Sequence, residues 1–198
     1  MQRIDEQIRF AAEAGLLKGV LRQTMLTRPA RRENSAEHSW HLGIMALALA
    51  EYAPADTDLG RVIAMLLVHD LVEIDAGDLF VYADEEQQAQ QRTAERAAAD
   101  RIFALLPGGQ AASLRGLWDE FEERATHEAR FARALDRLQP MLANLEAGGG
   151  TWREHGVTAD QVLAKAWLIE DGSKTLGSYA RELVRQAVRR GILAPAAR

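Results

Sequence analysis

The sequence predicts an all-α fold, a bundle of helices forming one domain over residues 1–198. Three observations carry this expectation. Ala and Leu abound while alternating Val/Ile/Thr runs are scarce, a composition that suits helices better than sheets. Apolar residues recur three and four positions apart in most segments, the period of one helix face. Pro and Gly punctuate those segments, but no linker is long enough to divide the chain and no internal repeat is present. With 47% hydrophobic and 27% charged residues, the chain can bury a substantial core.

Taken in order, Ile4 to about Leu26 reads as one helix, with Ile8, Ala11, Ala12, Leu16 and Val20 at helical spacing. The segment Thr27 to Glu33 breaks it, with Pro29 as the stop. Asn34 caps a second helix, Ser35 to about Tyr52, and Glu37 completes a capping-box pair. His38 falls on its apolar face beside Leu42, Met45 and Leu49, and Pro54 ends it. A third helix spans about Leu59 to Val72. Glu73 to Asp84 is a loop bending at Gly77. Glu85 to Leu106 is a polar, largely exposed helix whose acidic start matches the helix dipole.

Pro107-Gly108-Gly109 is a turn, and Ala111 to Arg124 a helix that places Trp118 in the core. Glu128 to Glu146 carries the stripe Phe131, Leu135, Leu138, Leu142 and Leu145. Asp136 lies outside that stripe, on a flank with Ala129, Ala132 and Ala143, where a solvated aspartate is the default. Gly148 to Gly150 is a turn and residues 151–157 are irregular. Thr158 caps a helix from Ala159 to Ile169. A last helix covers Ser173 to Arg189, ending before Gly191 and Pro195.

One stretch stands apart from this pattern. Val68-His69-Asp70-Leu71-Val72-Glu73 closes the apolar run that starts at Arg61. With Arg61 at zero and about 100° per residue, His69 falls near 80°, Glu73 near 120° and Asp70 near 180°. All three then share one side of a helix that is otherwise apolar. A buried imidazole between two carboxylates is costly unless the groups pair or bind a cation. A His–Asp pair closing a helix is the plain reading. His and Asp are also good ligands for a divalent ion, and Glu73 stands one turn beyond.

Net charge and residue usage exclude several classes. A net charge of −5 disfavours a bulk electrostatic hold on nucleic acid. There is no cysteine, hence neither a disulfide framework nor a thiolate zinc site. The start Met1-Gln2-Arg3-Ile4-Asp5-Glu6 is polar, and no signal peptide or membrane-spanning apolar run follows it. A cytoplasmic protein with no membrane or nucleic-acid partner is expected.

Glu37-His38-Ser39, then His69-Asp70 after an apolar run, Glu73, Gly77-Asp78 and the later Asp136 together resemble the HD-domain phosphohydrolases. Within them the order is most similar to the 5′-deoxynucleotidases, which remove phosphate from deoxyribonucleoside monophosphates. The resemblance covers about residues 15 to 150. It implies a helical bundle of the HD type and a homodimer. It also implies one divalent metal held by His38, His69, Asp70 and Asp136, with Mn, Co, Fe, Ni, Zn and Mg all compatible with such N/O ligands.

Under the same resemblance, Glu73 and Asp78 match the catalytic carboxylates, one taking a proton from water and the other positioning it or assisting the leaving oxygen. Arg22 takes the place of a phosphate- or sugar-contacting arginine. The tryptophan usually near that arginine is replaced by Gln23 or Thr24, and the loop before His38 differs in length. Arg31 matches an arginine of that loop. His41, one turn from His38, is the rival ligand and reads as a supporting or core histidine. His127 and His155 read as surface residues. The expected substrate is a small nucleotide. Two alternatives are hydrolysis of another phosphate ester or signalling nucleotide, and a non-catalytic helical protein that a metal stabilises.

Overall fold

The computed structural model describes residues 1–28 and 30–196. Its architecture is mostly helical, as composition and periodicity predict. The elements are α1 (Gln2–Ala14), β1 (Leu21–Thr27), β2 (Ala30–Asn34), α2 (Ser35–Ala48), α3 (Leu59–Val68), α4 (Glu73–Ala76), α5 (Glu85–Phe103), α6 (Gly108–Glu123), α7 (His127–Glu146), α8 (Gly150–Glu154), α9 (Ala159–Gly172) and α10 (Lys174–Arg189). No helix among the described residues is long and apolar enough to cross a membrane.

α7 is the centre of the bundle, packing against α2, α3, α6, α9 and α10 and against the strand β1. Its stripe residues Phe131, Leu135 and Leu138 are buried in the main core with Leu42, Met65 and Leu66 from α2 and α3. Pro140 lies inside α7 without ending it, and the side chain of Asn144 donates to the Pro140 carbonyl at 2.9 Å. α9 approaches α7 very closely. A Cβ added at Gly172 would stand 2.1 Å from the Arg130 carbonyl oxygen, so only glycine allows that contact.

The N-terminal quarter departs from the sequence expectation. A single helix from Ile4 to Leu26 is replaced by α1, a 3-10 turn over Gly15–Gly19 and the strand β1. Two glycines weaken the helix there, and beyond them the burial alternates, with Arg22 and Thr24 inward and Leu21 58% exposed. That is the period of a strand. β1 pairs antiparallel with β2, and the register shifts between Leu21 and Met25. Such a bulge re-aims side chains, and here the bulged segment carries Arg22. The expected stop at Pro29 lies outside the described residues. The stripe expected on α1 is not buried either, with Ile4 and Ile8 exposed.

Smaller differences have local causes. α2 ends at Ala48 and a 3-10 turn completes the segment to Tyr52. α5 is exposed at its start, but Ala98, Ala99, Ile102 and Phe103 are buried in a second cluster with Leu17 and Trp118. α6 begins at Gly108, since Pro107 precedes a helix well as a residue whose own N–H is not needed. The segment expected to be irregular contains α8, where the Asn144 side chain accepts from Thr151 Oγ1 at 2.9 Å and from the Trp152 N–H at 3.3 Å. Asn34 caps α2 with Glu37 as the reciprocal partner, as expected.

Candidate metal centre

The third helix ends earlier than its apolar run suggests, and this shapes the site. α3 stops at Val68 with His69 as its cap, and α4 starts at Glu73. Between them the chain turns through shorter bonds, Leu71 N–H to Val68 O and Glu73 N–H to Asp70 O, at 3.2 and 2.9 Å. The uniform 100° spacing therefore fails after His69. The side chains still converge, because the turn carries Asp70 and Glu73 into the same buried corner as His38 from α2 and Asp136 from α7.

Three ligand atoms, one each from His38, His69 and Asp136, lie within 4.8 Å of one another. The two imidazoles are prepared to face a cation. Gln139 donates its amide N–H to Glu33 Oε1 at 2.9 Å, which turns its own Oε1 toward His38 Nδ1 at 3.2 Å. His38 Nδ1 therefore carries the proton and Nε2 presents its lone pair. His69 does the same through the Leu66 carbonyl, an acceptor 2.9 Å from its Nδ1. Both Nε2 atoms point at Asp136 Oδ1, across 3.1 Å from His38 and 3.8 Å from His69.

Lone pairs facing a carboxylate oxygen in a buried pocket require positive charge between them, a proton or a cation. His69 Nε2 is buried without a hydrogen-bond partner. Burial acts against its charged form, but Asp70 and Asp136 outweigh it and push the His69 pKa up to about 10. Burial and the Arg22 charge push His38 down to about 4. Burial also works against the Asp136 carboxylate, yet Arg137 and the two imidazoles hold its pKa well below the usual range. Once His69 gives up its proton, its Nε2 joins His38 Nε2 and the ionised Asp136 carboxylate in a donor set that fits a divalent ion.

Asp70 adjoins this trio but faces two ways. Its Oδ1 is 2.9 Å from His69 Nε2, out of line for a hydrogen bond, while Oδ2 accepts from Arg22 at 2.9 Å. Burial opposes its charge, and His69 and Arg22 overcome that, lowering its pKa. Arg22 also stands 3.7 Å from Glu33, 3.9 Å from Glu73 and 3.7 Å from Asp78.

Glu73 and Asp78 approach the same Arg22 Nη1 that Asp70 holds. Glu73 Oε2 accepts from the Ser35 hydroxyl at 2.6 Å, and Asp78 Oδ2 from the Gln23 N–H at 3.0 Å. Burial, then the charge of Asp70, raises the Glu73 pKa well above its ordinary value, and burial raises Asp78 as well. Gly77, at φ 72°, supplies the turn that brings Asp78 back to Arg22. Arg22, His69, Asp70, Glu73, Asp78 and Asp136 line a cavity of about 350 Å³ whose wall also includes Phe80, Tyr82, Arg137 and Lys165.

His41 stays half-buried at 3.4 Å from the Gln139 amide, a supporting place rather than one inside the trio. His127 and His155 are exposed as expected, the latter against Phe80 at 4.3 Å between ring centres. Arg31 forms an exposed pair with Glu37 at 2.5 Å, at the edge of the hairpin. Sequence reasoning missed Gln139, Glu33, Ser35, Arg133 and Arg137. Gln139 is three residues after Asp136, so helical spacing alone placed it on the same side. Glu33 carried no signal, because its role depends on the strand pairing.

The HD domain family matches this chain over residues 14–176. The chain is 31% identical over 140 residues to a 5′-deoxynucleotidase, HDDC2, of Xenopus laevis, spanning 70% of this chain and 68% of that protein. The corresponding protein of Danio rerio is 29% identical over 140 residues, with the same shares. A crystal structure of a predicted metal-dependent phosphohydrolase from Magnetospirillum magnetotacticum superposes with a TM-score of 0.93 at 56% identity, covering 98% of this chain and 96% of that one.

Proposed function

This chain belongs to the HD-domain family, and on that premise we propose that it is a metal-dependent phosphomonoester hydrolase that releases phosphate from deoxyribonucleoside 5′-monophosphates. The observation that carries the reading is the orphaned His69 Nε2, set with His38 Nε2 and Asp136 Oδ1 beside two carboxylates whose pKa values are raised. A purely structural metal site needs neither of those carboxylates.

His38, His69 and Asp136 would hold one divalent ion, and Asp70 would complete the set from the turn after α3. When bound, the metal offsets charge on the phosphoryl oxygens and lowers the pKa of a bound water. Glu73 is the proton-transferring group. Ser35 occupies its Oε2, which leaves Oε1 to accept a proton from the attacking water. Asp78, anchored through Gln23 N–H, orients that water or the leaving oxygen. Arg22 ties Asp70 to Glu73 and Asp78, its charge holding these carboxylates together.

The whole of residues 1–198 works as one catalytic domain in this reading, in the cytoplasm and as a homodimer. Gel filtration with light scattering tests the last point. The function is tested by measuring phosphate release from deoxyribonucleotides, ribonucleotides, diphosphates and other esters, each with Mn, Co, Fe, Ni, Zn and Mg. Deoxyribonucleoside monophosphates are expected to be cleaved best. By the resemblance, Gln23 or Thr24 replaces a tryptophan beside Arg22, so sugar preference is the sensitive point. Equal rates on ribose and deoxyribose substrates would replace this reading with a broader phosphatase.

A further inference from the structure

The site is short of free positive charge where a phosphate must lie. Arg22 has four carboxylates within 4.0 Å, those of Glu33, Asp70, Glu73 and Asp78. Its charge is already offset. A dianionic phosphate entering this corner meets acidic groups on the Arg22 side, and the metal alone would have to compensate.

The other side of Asp136 is different. Its Oδ1 faces the imidazoles, whereas its Oδ2 takes two guanidinium groups, Arg133 at 3.3 Å and Arg137 at 3.2 Å. Arg133 is committed through both terminal nitrogens, Nη1 to Asp136 and Nη2 to Glu122 at 2.6 Å, and lies 4.0 Å over the Phe121 ring, although its Nε too is buried without a partner. Arg137 has no other carboxylate within ion-pair distance among the described residues, and its Nε is buried without a partner. It lines the same cavity as Glu73 and Asp78. A guanidinium with unused donors, one carboxylate away from the ligand nitrogens, matches the planar fork that binds phosphate oxygens.

We propose that Arg137 is a phosphate-binding residue of this site, reaching from the Oδ2 side of Asp136 to the non-bridging oxygens of a phosphate monoester in the shared cavity. The inference rests on the phosphatase reading for its substrate, but inorganic phosphate probes it separately.

The test compares wild type, Arg137→Gln and Arg137→Lys, with metal content and thermal midpoint measured first. Inorganic phosphate is then titrated calorimetrically into the metal-loaded proteins, and KM and kcat are measured on deoxyribonucleoside monophosphates. Arg137→Gln is expected to keep its metal and to weaken phosphate binding about 10- to 100-fold, with KM rising in step, the usual weight of hydrogen bonds to a charged group. Arg137→Lys should recover part of the loss, as a point charge without the fork. Unchanged phosphate affinity in both variants overturns the proposal. Loss of metal in both variants overturns it too, because Arg137 would then act only by positioning Asp136. If Arg137→Gln fails to fold, the lysine variant decides by the same titration. Should wild type bind phosphate yet hydrolyse no nucleotide, the functional reading fails while Arg137 is still tested.

Discussion

Gln139 and His38 are joined by a 3.2 Å hydrogen bond between residues 101 positions apart in the chain. It sets the His38 tautomer, because the same amide is held the other way round by Glu33 at 2.9 Å. Partners of this kind typically tune metal affinity by about 10- to 100-fold. Gln139→Ala is expected to weaken metal binding by that factor with His38 still present. A competition titration against a chelator measures it, and an unchanged affinity would show that His38 needs no orientation.

Catalysis and metal binding should separate by mutation. Glu73→Ala is expected to keep the metal and lose about 10²–10⁴-fold in turnover, the usual weight of an acid/base group. Asp136→Asn removes the charge that both imidazoles and both arginines face, so metal content itself should fall. Metal analysis and phosphate release on the same preparations distinguish the two. Wild-type turnover in metal-loaded Glu73→Ala would remove Glu73 from the mechanism.

Glu33 predicts a pH effect on stability in the metal-free protein. Burial, only partly relieved by Arg22 and Gln139, pushes its pKa up from 4.5 to about 7. Below pH 4.5 the group is protonated both folded and unfolded, and its favourable contribution is complete. That contribution is lost as pH rises toward 7, at most about 3 kcal/mol. Wild type should therefore lose stability between these pH values relative to Glu33→Gln. Urea unfolding of both proteins across this range measures it, and parallel curves would refute the burial argument.

The α7–α9 contact tolerates no side chain at Gly172. A Cβ there would meet the Arg130 carbonyl oxygen at 2.1 Å and the Ala134 Cβ at 2.8 Å. Overpacking of this kind costs about 1–3 kcal/mol. Gly172→Ala should lower the thermal midpoint accordingly, and also loosen the helix that carries Asp136. A midpoint equal to wild type would mean that α9 shifts freely.

Short-range chemistry by itself determined most of the helices here. The stripe Phe131, Leu135 and Leu138 can bury only as a helix face, and Asn34 with Glu37 closes a helix start through bonds four residues wide. His69 and Asp70 were legible for a similar reason, since they close an apolar run, whereas His38 stood out only through the Glu37-His38-Ser39 resemblance. The tertiary structure decided what depends on distant partners. Leu21 to Thr27 is a strand because β2 pairs with it and the site draws Arg22 and Thr24 inward, although its residues are also compatible with a helix. Asp136 sits on a flank of small residues that looked solvated, and it is buried because His38, His69, Arg133 and Arg137 close around it. Glu33 and Gln139 gain their roles only through contacts across the fold. Local propensity reports the energy of a turn or a face, whereas the price of burying a charge depends on which groups surround it, and those are supplied by segments up to a hundred residues away.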